Sequence, residues 1–132
     1  MMDPQQELFT ELRKRLIAKF GESKVFDGFM PPDDTPYPFI YLAENYMTDV
    51  RTKSKLNGRV VQTIHVWHNS PTKRGTASTI LSDIKNIIRA LEHDGTANYG
   101  WIVQNVTQRI LTDNTTKTPL LHGILEVELY FS

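Results

Sequence analysis

Cysteine is absent from the 132 residues. That excludes a disulfide framework, a thiolate nucleophile and any zinc site built on cysteine, and it fits a reducing compartment. Net charge is missing as well: fifteen Lys and Arg offset fifteen Asp and Glu. No global field therefore draws the chain to nucleic acid or to an anionic membrane, and any basic footprint has to be local. No run approaches the ~18 apolar residues of a membrane span. The opening MMDPQQELF lacks the basic start and apolar stretch of a secretory signal, so the chain is expected to be cytoplasmic where it is made.

Motifs of catalysis are also missing. There is no Walker sequence, no Gly-rich dinucleotide fingerprint and no GxSxG elbow, and Gly75, Gly95 and Gly100 are too dispersed to cradle a phosphate. The histidines number four. His65 and His68, three apart in one predicted strand, project to opposite faces and cannot share a metal ion. Glu126 and Glu128 share a strand face, but with no partner of opposing character they read as a solvated edge. No catalytic residue, cofactor or metal site is expected, and the chain reads as a non-enzyme.

With 39% hydrophobic and 23% charged residues, the chain has the makings of one globular core, and its length suits one domain over 1–132. Asp3-Pro4-Gln5-Gln6 is a helix opening, and Leu8, Leu12, Leu16 and Phe20 recur every four residues over a predicted helix 4–20. Four prolines between 31 and 38 make 22–38 an extended linker. Residues 39–46 and 59–68 suit strands of a hairpin 39–68, joined by a polar loop 47–58 that ends in Asn57-Gly58. Ser70-Pro71 opens a second helix, 71–92, whose Ala77, Ile80, Leu81, Ile84, Ile87, Ile88 and Leu91 hold helical spacing. A second hairpin, 100–131, alternates around Ile102, Val106 and Ile110, then Leu121, Leu125, Val127, Leu129 and Phe131. The order α-β-β-α-β-β predicts an α+β fold: a four-stranded antiparallel sheet with two helices on one face.

Two features point outward. In the second strand Val61 and Trp67 oppose the row Val60, Ile64 and Val66; in the fourth, Ile124 and Tyr130 oppose the main apolar row. Helices cover one face of a sheet, so these four residues, with Trp101, are either singly exposed decoration or part of a subunit interface. The loop carries Arg51, Lys53, Lys55 and Arg59 with no acidic residue among them. Such a cluster suits phosphates, an acidic protein surface or simply a soluble tip, and the absence of an aromatic residue from 51 to 59 argues against a stacking platform for single strands.

Taken together, PYPFIYLAE, KSKLNGRVV, TIHVWHNS, ASTILSDIKNIIRAL and LHGILEVELYF resemble, in order and spacing, the tail-completion, head-to-tail joining family of long-tailed bacteriophages. The resemblance spans about residues 8–131; the basic insert and NSPTKRGT depart from it. It implies a small virion protein at the head-tail interface, forming a sixfold ring that halts tail-tube growth and meets the head connector. Its partners would be copies of itself, the tail-tube protein and the connector, with neither a membrane nor sequence-specific nucleic acid among them. Docking would use the 47–58 loop and the 113–119 connection. The alternative is a small nucleic-acid-binding module using the basic hairpin.

Overall fold

A computed structural model describes residues 2–51 and 56–132. Helix α1 spans Pro4–Phe20, with Asp3 capping the amides of Gln5 and Gln6. The Gln6 side-chain amide donates to the Thr10 hydroxyl. After a 3-10 turn come strands β1 (Val25–Asp27), β2 (Phe39–Arg51) and β3 (Leu56–His68), helix α2 (Arg74–Asp94), and strands β4 (Trp101–Asp113) and β5 (Leu120–Phe131).

The sheet has five strands in the order β1-β2-β3-β5-β4. β1 runs parallel to β2, with Val25 opposite Ile40 and Asp27 opposite Leu42, whereas all other pairs are antiparallel. This corrects the expected four-stranded antiparallel sheet. Three residues are too short to show a period, and the prolines that signal a linker begin only at Pro31, so Val25-Phe26-Asp27 remained free to pair.

The hairpin connection is a second correction. β2 and β3 stay paired as far as Arg51 opposite Leu56, so most of 47–58 is strand. Backbone pairing tolerates polar side chains, and β3 is held on its other side by β5 as far as Gly58 opposite Phe131. Gly58 is needed there for space, since a Cβ would lie 2.2 Å from the Thr48 carbonyl oxygen and 2.8 Å from the Phe131 ring. Lys53 and Lys55 lie outside the described residues.

Both helices cover one face. α1 lies over β1 and β2, and α2 over β3, β5 and β4. Leu8, Leu12 and Leu16 of α1 and Leu81, Ile84, Ile88 and Leu91 of α2 are buried against Ile40, Leu42, Val60, Ile64, Val66, Leu125, Val127 and Leu129. α2 begins at Arg74, a turn beyond Ser70-Pro71, and Gly95 closes it at φ 64° with its amide on Leu91. Buried Glu7 locks the α2–β4 turn to α1 by accepting from the Asn98 amide at 3.0 Å, the Asn98 side chain at 2.7 Å and the Thr96 hydroxyl. Burial pushes its pKa up, but these hydrogen bonds outweigh burial and the net shift is downward.

Candidate functional site: the open face of the sheet

Which side chains point away from the helices follows from the strand pairing, because residues opposite each other across a ladder share a face. Arg59 faces Tyr130, Val61 faces Glu128, His65 faces Ile124, and Trp67 faces His122. Val61, Trp67, Ile124 and Tyr130 therefore stand on one face, the open one. Their chemistry differs: Val61 is 3% exposed and sealed within the chain, whereas Tyr130 is 43% exposed. Trp101 is not part of this face. It faces Phe131 in the core and donates its indole N–H to Thr96 at 2.8 Å.

Bulges decide the rest of the face. Between Leu42 and Asn45 the pairing of β2 slips, and beyond the slip Tyr46, Thr48 and Val50 pair with open-face or adjoining residues of β3. A second slip between Val103 and Asn105 puts Ile102 on the open face, opposite Tyr130, while Val106 returns to the core opposite Val127. A strict period of two placed Ile102 with Val106 and Ile110, and that expectation fails at the bulge. As a result Tyr46, Val50, Ile102, Leu111 and Tyr130, five large apolar side chains that are each at least 43% exposed, all stand on the helix-free face.

At one end of this face lies an open groove of about 680 Å³ lined by Thr48, Val50, Asn57, Arg59, Ile102 and Tyr130, with Gly58 and Phe131 also contributing. Arg59 pairs with Glu128 at 3.2 Å. Of the basic residues singled out in the hairpin, Arg59 is thus placed at the groove, and Arg51 closes β2.

The other end is aromatic. His65 Nδ1 lies 2.6 Å from His122 Nε2, the two rings stack, and His122 stacks in turn on Trp67 with centroids 3.7 Å apart. Burial lowers both histidine pKa values, and for His122, where the His65 charge adds to the effect, the value falls to about 4. At neutral pH the pair is uncharged and shares one proton between facing nitrogens. Sequence reasoning compared His65 only with His68 and missed this pair, which lies on neighbouring strands. The signal was alternation: His65 and Trp67 on one strand and His122 and Ile124 on the next have the parity to meet once the strands pair. His68 points to the other face and accepts the Ser70 amide at the start of the turn into α2. Two buried polar atoms among the described residues lack a partner, Asn57 Oδ1 and Trp67 Nε1. Both belong to open-face residues.

Among the described residues, no group of three His, Cys, Asp or Glu is placed to hold a metal ion, and no helix is long and apolar enough to cross a membrane. The face offers apolar area, a groove and a few hydrogen-bonding groups, which is the chemistry of docking.

Comparison with known proteins agrees with that character. In fold the chain is similar to one from a solved structure described as the virion of a native gene transfer agent particle, with a TM-score of 0.63 and 15% identity over 97% of this chain and 93% of that one. No curated protein matches. The family model for tail completion protein gp17 matches residues 6–132. On that match over nearly its whole length, the chain belongs to the tail completion protein gp17 family and is a structural protein of the bacteriophage virion tail.

Proposed function

We propose that the chain completes the tail by assembling with copies of itself into a sixfold ring at the end of the tail tube, where it stops tube growth and presents a surface to the head connector, with no catalytic step. The observation that carries this reading is the row Tyr46, Val50, Ile102, Leu111 and Tyr130, exposed on the face that the helices leave bare. Isolated apolar side chains on a surface are ordinary, but Val50, Ile102 and Tyr130 gather at the groove into a patch suited to a partner, with Tyr46 and Leu111 exposed further along the same face. Supporting material lies at the sheet edges. β4 is an outer strand, and β1 covers β2 only at Ile40–Leu42, so the rest of β2 is open on that side.

In this reading the basic end of the first hairpin, with Arg51, Lys53, Lys55 and Arg59, docks on the tail-tube protein or the connector, together with the 113–119 connection. Charge there speeds and orients docking more than it tightens it. Mass measurement of the chain alone and with assembled tail tubes tests the proposal. Rings on tube ends support it. A monomer that instead binds short DNA tightly, with affinity falling steeply as salt rises, would replace it with the nucleic-acid-binding alternative.

A further inference from the structure

The most exposed large apolar side chain stands far from the groove. Phe29 is 88% exposed and its neighbour Met30 52%. Both belong to the segment that leaves β1, and that segment is anchored on either side of them. The Phe29 amide donates to the Asp27 carbonyl at 2.8 Å, the Tyr41 hydroxyl donates to the Gly28 carbonyl at 3.2 Å, and Tyr37 packs on Phe39. Pro31 and Pro32 follow directly, which stiffens the segment beyond the pair. A phenyl ring and a thioether are thus held out in water with little freedom left to lose on binding.

The projection cannot reach Ile102 within one chain. The projection leaves the β1 edge of the sheet, whereas Ile102 lies on β4 at the opposite edge. Four strand spacings, roughly 19 Å, separate those edges. Between copies, the same arrangement gives two different patches, one leaving the β1 edge and one spread over the open face from Val50 on β2 to Ile102 on β4, and two different patches are what a head-to-tail contact requires if it is to close into a ring. We propose that Phe29 and Met30 of one copy seat in the groove lined by Val50, Ile102 and Tyr130 of the next.

Two observations favour a second copy as the occupant. The groove is of the size, roughly 300–1,000 Å³, that takes compact apolar groups. Residues 27–38 carry Asp27, Asp33 and Asp34 and no basic residue, whereas 48–59 carry four basic residues against Asp49 alone; Asp27 pairs with Arg13 and Arg59 with Glu128, and the charges that remain along the two segments are opposite in sign. This contact rests on the ring reading and specifies which surfaces make the ring.

Because the chain has no cysteine, introduced cysteines give an unambiguous test. Phe29→Cys and Ile102→Cys in one chain, oxidised at high protein concentration and on assembled tails, are expected to give a ladder of crosslinked species ending in a closed ring. A bond within one chain is excluded, since the Cα atoms of a disulfide lie within about 7 Å. The two single variants, mixed, should give a crosslinked heterodimer that neither gives alone, and Ile102→Asp should weaken self-association roughly tenfold or more. Lys14→Cys in place of Phe29→Cys is the control and should give no ladder. Rings detected by mass without the 29–102 crosslink would overturn this contact and leave the ring intact. Absence of both rings and crosslinks would overturn the contact and the ring together, and homodimers of either single variant would replace it with a symmetric contact.

Discussion

Acid is expected to weaken this fold through the histidine pair on the open face. His65 and His122 have pKa values below the ordinary 6.5, with His122 near 4. The unfolded chain therefore takes up protons that the folded chain refuses. Stability is full above about pH 6.5 and falls as the pH drops toward 4, because the unfolded state binds more protons throughout that window. Taken at face value, the His122 shift is worth roughly 3 kcal/mol. Both rings keep part of their surface in water, so screening reduces the loss reached at about pH 5 to ~1 kcal/mol. The groups facing the pair are Tyr41 and Glu44 from β2, Trp67 beside His65 on β3, and Arg109 and Asp113 from β4. Glu44 opposes the downward shift of His65, and Asp113 that of His122. Urea denaturation at about pH 7.5 and about pH 5 measures the difference. His122→Phe keeps an aromatic ring on Trp67 and removes the more strongly shifted proton site. It should cut the acid loss by about half or more. Equal stability at the two pH values, or an unchanged acid loss in His122→Phe, would refute the reasoning.

Glu7→Ala removes the acceptor of three donors at a position 7% exposed, so a loss of roughly 2–3 kcal/mol is expected. A thermal melt should register it as a drop of roughly 7–10 °C. Gly58→Ala drives a Cβ into the Thr48 carbonyl and the Phe131 ring and should cost roughly 2–3 kcal/mol, visible as a lower urea midpoint. Tyr130→Ser and Val50→Ser, at exposed positions, should leave the midpoint within about 0.5 kcal/mol of the parent. Sedimentation should nonetheless show weaker self-association.

The helices were legible because each announces itself over many turns: Asp3-Pro4 and the leucine row for α1, and an unbroken apolar stripe for α2. The two hairpins and the separation of Val61, Trp67, Ile124 and Tyr130 from the core row were legible from alternation alone. Three things were not. β1 is too short to carry a period. The two bulges shift parity partway along β2 and β4, so Ile102 could not be assigned to a face without its partner strand, and with it the groove stayed hidden. The pairing of His65 with His122 depends on which strands are neighbours, and no spacing along one strand encodes that. The resemblance to tail-completion proteins rests on the order of elements, which these local shifts leave untouched.

Cysteine-free as it stands, the chain is suited to direct mass measurement on tail tubes. Native mass spectrometry or sedimentation of the protein with isolated tubes should yield a closed ring on tube ends, six subunits to each, that disperses when Ile102→Asp is introduced. A stoichiometry of one subunit per end, or rings indifferent to every open-face substitution, would contradict the claim that the uncovered side of the sheet is the assembly surface.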